Sequence, residues 1–183
     1  VGTPLGVALL TSLPAAPIEW DTSDALGGRA RGLRLGLWLD AGFGIQPTPA
    51  VLAAVQDAAR RFEAAGAQVE LIKPFLTHAM LHGVDRFWRM RSWLDYRRLT
   101  HEQQGQVLPA IRDWVLPAAG FSGEDVFTGY SQMGAIRDAT VRATAPFDFV
   151  LSPVAACTAF AADWPSPLND PTRPLDHINF TVA

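Results

Sequence analysis

His78 and His82 stand four residues apart in a stretch with helical periodicity, so their imidazoles share one face. That is the spacing of paired helical zinc ligands. The residues between them, Ala79, Met80 and Leu81, supply no carboxylate to serve as a base, and no third ligand is evident. Zinc needs three or four converging ligands. The two histidines therefore read as solvated or capping groups near a helix start, and no metal site is expected.

Cys157 and His177 are a thiol and an imidazole, the parts of a nucleophile–base pair. Nothing in the sequence brings them together. The flanks Val154-Ala-Ala-Cys-Thr-Ala159 read as small-residue packing, where cysteine is a small apolar residue. Ser152 lacks the Gly-x-Ser-x-Gly elbow of a serine hydrolase and reads as structural at a strand end. Gly42-Phe-Gly44 lacks the third glycine of a dinucleotide fingerprint and the Gly-Lys-Ser/Thr ending of a P-loop, so it reads as a tight turn. Asp40 just before it reads as a polar edge residue. The segment Arg86–Arg98 is both basic and aromatic, which is a nucleic-acid pattern. Its aromatics recur at helical intervals and belong to a core face, and its Arg and Asp suit a solvated, paired face.

The elements that carry these residues alternate. Leu33–Leu39 reads as a buried strand broken by Asp40–Gly44. Thr48 and Pro49 mark a helix start, as N-cap and first helical residue. Val51, Leu52, Val55, Ala59, Phe62 and Ala65 follow at helical spacing, and Gly66 sits where a C-terminal cap belongs. Gln68–Ile72 is a second strand. Strand, helix and strand at this spacing make a βαβ unit with parallel strands and a right-handed crossover. Thr77 caps a helix over 78–99, with Met80, Leu81, Val84, Phe87, Trp88, Arg91 and Leu94 on one stripe and Asp85, Arg86, Arg89 and Asp95 on the solvated side. Another helix is expected over 107–119. Ser122 and Asp125 form a capping box that opens a helix over 123–144, with Val126, Phe127, Tyr130, Met133 and Val141 inward. Asp148–Ser152 is the third strand. The fold class is α/β: a small, mostly parallel sheet with packed helices. Residues 1–32 form an arm or linker and 33–183 the α/β domain.

The composition bounds the rest. The chain has 183 residues, 49% hydrophobic and 18% charged, which fits one folded domain. A net charge of −3 gives no reason to expect nucleic-acid binding. No apolar run reaches the length of a membrane span, and Val1–Leu10 lacks the basic start of a signal peptide. One cysteine excludes an internal disulfide and suits a reducing cytoplasm. The chain begins at Val1 and stops inside the apolar run Ile178–Ala183, so it reads as cut from a longer sequence. Such a piece leaves strand edges and apolar faces uncovered, and a homo-oligomer is expected.

Several stretches together resemble the amidase signature family. They are Leu33-Arg-Leu-Gly-Leu37, Phe62-Glu-Ala-Ala-Gly-Ala67, Val69-Glu-Leu-Ile72, Asp148-Phe-Val-Leu-Ser-Pro153 and Phe180-Thr-Val-Ala183. The resemblance covers most of the chain from Leu33 on and places it after the catalytic core, within a larger α/β/α sandwich. It implies a hydrolase that cleaves small-molecule carboxamides with a Ser nucleophile, a second Ser and a Lys base, without metal or organic cofactor. Those groups are not in this chain. It has no Ser-Ser pair, and its single lysine, Lys73, lies outside the family's catalytic context. No catalytic residue can therefore be assigned here, and no substrate-binding residue is singled out beyond three regions that can shape a pocket: Asp40–Ile45, Phe127–Met133 and Pro153–Thr158. The expectation is a C-terminal portion, structural and substrate-shaping, inert alone. The alternatives are a portion of the A-type subunit of a tRNA-dependent amidotransferase, which the acidic balance disfavours, and a free-standing α/β interaction module.

Overall fold

In the computed structural model, which describes residues 29–170 and 172–183, three strands form one parallel sheet. The expected arm over 1–32 lies outside the described residues apart from its last four. The strands are β1 (Arg34–Leu37), β2 (Gln68–Leu71) and β3 (Phe149–Leu151), in the order β2-β1-β3. β1 pairs in parallel with both neighbours, Leu35 opposite Val69 on one side and Phe149 on the other. A central strand flanked on two edges must be apolar on both faces, and Leu35, Gly36 and Trp38 are all buried. Each strand is shorter than the sequence suggests, because the chain turns away once its backbone leaves the ladder. One further bond, from Trp38 N–H to the Leu151 carbonyl at 2.9 Å, marks that end for β1.

The crossover helix α1 (Pro49–Ala64) joins β1 to β2 as the spacing requires. Thr48 occupies the N-cap, but its hydroxyl makes no capping bond there. Instead its backbone N–H donates to the Ala156 carbonyl at 2.8 Å, which ties the helix start to the chain beyond β3. The other end is a Schellman motif. Gly66, at φ +96°, donates to Glu63 O, and Ala67 donates to Phe62 O. α1 lies on one face of the sheet, where its Gln56, Ala59, Arg60 and Glu63 border an open cleft with Leu37, Val69 and the exposed Leu71.

The opposite face meets a helical pair, α2 (His78–Tyr96) and α5 (Gly123–Thr144). The two run antiparallel, with Gly83 against Gln132 and Arg86 bonded to Asp125 at 3.1 Å. Thr77 caps α2 through Met80 N–H, and Ser122 and Asp125 form the reciprocal box at the start of α5. The core between sheet and pair holds Trp38, Phe43, Ile72, Leu76, Leu81, Val84, Ile136, Ala156 and Phe180.

The order of side chains on these helices departs from the sequence reading. Phe127, Tyr130 and Val141 were expected inward and are 72%, 48% and 52% exposed. α5 meets its neighbours along Gly129, Ile136 and Ala139, with Gly129 close against the Gly83 carbonyl, and Phe127, Tyr130 and Val141 fall off that line. On α2, Arg91, Trp88 and Leu94 belong to the open side, while Asp85 and Arg89, expected in solvent, are drawn in. Their side chains are only 19% and 20% exposed and joined at 2.7 Å. The indole of Trp114 supplies the reason, donating to the other Asp85 oxygen at 2.7 Å beneath the Arg89 guanidinium. The expected helix over 107–119 is α4 (Pro109–Val115) followed by a 3₁₀ turn, Leu116–Gly120. Pro117 has no N–H for the α-helical ladder and tightens it at that point. A short helix that periodicity missed, α3 (His101–Gln106), precedes it, held by a Thr100/Gln103 capping box.

The glycine contact yields a paired expectation. A Cβ at position 83 would lie 2.5 Å from Gln132 Cβ and 3.0 Å from the Gly129 carbonyl, whereas one at Gly134 meets nothing within 4 Å. Chemical denaturation should show Gly83→Ala destabilised by about 1–3 kcal/mol through overpacking. Gly134→Ala should gain up to about 1 kcal/mol from helix propensity.

Candidate functional site

In open parallel sheets, ligands gather at the carboxyl ends of the strands. Here those ends lead into Trp38–Ile45 after β1, Ile72–Leu76 after β2 and Ser152–Ala156 after β3. The turn after β1 is tight because Asp40 Oδ1 accepts from the Gly42 N–H at 2.8 Å. Gly42 and Gly44 have φ of +93° and +79°. The Leu76 carbonyl closes on Gly42 and the Asp176 carbonyl on Gly44, leaving no room for a Cβ at either. A phosphate loop presents N–H groups to its anion. This one faces carbonyl oxygens, which repel an anion, and is a packing turn.

The C-terminal segment locks that turn. Asn179 is 1% exposed. Its Nδ2 donates to the Ile45 carbonyl at 2.8 Å and the Phe43 carbonyl at 3.2 Å, while the Ile45 N–H donates to Asp176 O at 3.0 Å. Beside it Trp38 stacks on Phe75 at 4.9 Å and meets Phe180 edge-on at 5.2 Å. Of the three regions expected to shape a pocket, Asp40–Ile45 and Pro153–Thr158 come together at this end, with Phe43 and Ala156 in one cluster. From Phe127–Met133, Met133 reaches that cluster. Phe127 and Tyr130 line a separate open groove with Phe87, Met90 and Phe121.

The remaining candidates are scattered. His78 and His82 are exposed at the start of α2, the first 6.4 Å from the Phe43 ring and the second beside Arg86 and Gln132. Among the described residues no group of three His, Cys, Asp or Glu side chains could hold a metal ion. Lys73 is exposed just past β2, and Ser152 is half-buried before the buried Pro153. Cys157 is a half-buried free thiol. His177 lies in a different pocket, against Trp114 and Ser166, with the Phe160 ring edge-on at 6.5 Å. Burial lowers the His177 pKa, and the Pro174 carbonyl and Asp176 carboxylate oppose that only in part, so the ring is neutral near pH 7. Among the described residues no hydroxyl or thiol is hydrogen-bonded to a Lys or His side chain. Among the described residues the arrangement holds no assembled nucleophile–base pair, and the turn after β1 is packed against the chain's own carbonyls. Asn179 escaped the sequence reading, although a lone amide inside the apolar run Ile178–Val182 was its available signal.

Neither a family model nor any curated protein matches the chain. Among solved structures it is similar in fold to a bacterial aryl acylamidase belonging to the amidase signature enzymes, with a TM-score of 0.65 and 22% identity. The likeness covers 80% of this chain and 32% of that one, so this chain spans about a third of the enzyme's length. The class of protein defined here is α/β, a three-stranded parallel sheet with packed helices in the layout of part of an amidase-like fold. No helix among the described residues is long and apolar enough to cross a membrane.

Removing the Asn179 amide leaves two carbonyls at the turn without their donor. Each buried group so orphaned costs about 1–3 kcal/mol. Asn179→Ala should therefore lower the unfolding free energy by about 2 kcal/mol or more, read by urea titration. Gln46→Ala, at an exposed neighbour of the same turn, should change it by less than about 0.5 kcal/mol.

Proposed function

We propose that the chain is the C-terminal portion of an amidase-like hydrolase, one that cleaves small-molecule carboxamides to carboxylate and ammonia. In this reading it shapes the substrate space and does not carry the reacting groups. The observation that carries it is the fold likeness to the acylamidase, which takes in most of this chain and only a third of that enzyme. The resemblance of the late strand and closing segment to the amidase signature family points the same way. The nucleophile and base would come from polypeptide outside this chain. In this reading the turn Asp40–Ile45 and the loop Pro153–Thr158 border the substrate space of the parent enzyme. A reducing, cytoplasmic setting fits the free Cys157.

The test is direct. The purified chain, given simple carboxamides and anilides, should release neither ammonia nor amine above the buffer rate. Turnover abolished by Lys73→Ala would overturn the assignment of roles. The reading frame containing this chain should also encode an upstream Lys and a Gly/Ser-rich stretch with a Ser-Ser pair, and a frame lacking both would remove the hydrolase reading.

We further propose that the isolated chain pairs with a second copy. β2 and β3 are both edge strands, and Leu71, Phe149 and Val154 beside them are 67%, 58% and 78% exposed. Unpaired edges with apolar side chains favour association. Sedimentation equilibrium at tens of micromolar should reveal a dimer, and a strictly monomeric species there would refute it.

A further inference from the structure

Besides the strand edges, the chain exposes a second surface, the outer side of α5. Phe127, Gly134 and Val141 recur every seven residues along it, with Tyr130 and Arg137 between them. That is the spacing of a coiled-coil seam. At about 100° per residue the five lie within roughly a quarter of the helix circumference. They are turned away from the line through Gly129 and Ile136 that is buried. Phe127 is 72% exposed, and Tyr130 and Val141 are about as open as they are covered. A Cβ at Gly134 would meet nothing within 4 Å. Among the described residues nothing covers this seam.

We propose that α5 packs antiparallel against α5 of a second copy, about a two-fold axis through Gly134. The occupant follows from the self-complementarity of the pattern. In such a pair, residues equally far before and after the centre face each other. Phe127 then meets the partner's Val141. Gly134 meets its own copy, and the missing side chain lets the two backbones close. Tyr130 and Arg137 share one flank, nearly equidistant from the centre, so each guanidinium falls over the partner's Tyr130 ring as a cation–π contact. In its own chain Arg137 has only Asp138, at 3.9 Å. The charges fix the direction. Glu124 and Arg142 are eighteen residues apart, about five turns, and so lie on the same side of α5. Both are exposed, and neither has an ion-pair partner among the described residues. Antiparallel pairing sets each glutamate beside the partner's Arg142. A parallel pair would set glutamate on glutamate and arginine on arginine, and would also align the helix dipoles. A face one helix wide is small, so the pair is weak and exchanges.

Sedimentation equilibrium and thiol crosslinking on the intact 183-residue chain test the proposal. Phe127→Glu should raise the dimer Kd at least about tenfold, as the loss of an aromatic anchor. Glu124→Arg and Arg142→Glu should each weaken pairing about tenfold, because each change acts twice in the dimer. The double variant should return to within about threefold of the unaltered chain, since it restores opposite charges across the axis. In a Cys157→Ser background, Gly134→Cys should give a disulfide-linked dimer on mild oxidation, because the two thiols meet on the axis. Thr128→Cys, exposed but off the seam, should not. A chain that stays monomeric and crosslinks no faster through position 134 than through position 128 overturns the proposal. So does a dimer that withstands Phe127→Glu and is lost with Phe149→Lys, which assigns the pairing to the strand edge instead. Should a charge variant fail to fold, the crosslinking comparison still decides. None of these outcomes bears on amide hydrolysis.

Discussion

The two hydrogen bonds donated by the Asn179 amide are the constraint on which the rest of this structure leans. They join residues more than 130 positions apart, binding the C-terminal segment across the turn that follows the central strand. With that segment in place, Phe180 reaches Trp38, and the Asp176 carbonyl receives the Ile45 N–H. The same segment then supplies Leu175 and His177 to the pocket against α4. A buried amide that donates twice also selects one register for the segment, because a slide of one residue would bury a different side chain opposite two carbonyls.

A second constraint comes from absent side chains. Gly83 and Gly129 let α2 and α5 approach until backbone meets backbone. The closeness of that pair decides which side chains are left to face solvent. It sends Phe127 and Tyr130 outward. On the other side of α2, Asp85 bridges Arg89 and the Trp114 indole, and this ties the short helix α4 to α2. A part-buried carboxylate survives there because both of its oxygens are paired.

These restraints act at the strand ends, where an α/β protein usually keeps its ligands. Here the end of β1 is occupied by the protein's own chain. Carbonyls of Leu76 and Asp176 fill the places beside the two glycines. The site therefore contributes shape and rigidity. The chain covers about a third of the acylamidase it resembles in fold.

Much of the architecture was legible in the residues themselves. Pro49, Gly66 and the flanking apolar runs specify strand, helix and strand, because these are local signals acting over a few positions. The box of Ser122 and Asp125 located the start of α5 for the same reason. The parallel pairing followed from the length of the crossover. What periodicity could not supply was the choice of face on long helices with apolar residues on more than one side. It read Phe127 and Val141 as inward and Asp85 as outward, since it cannot see two glycines meeting across a helix pair or an indole arriving from another helix. Asn179 and Ser166 were equally hidden: a polar residue's burial is set by partners distant in sequence. The residues alone determined the elements and the sheet's direction. Only the tertiary structure decided which polar groups are enclosed, because enclosure depends on long-range packing that no local pattern encodes.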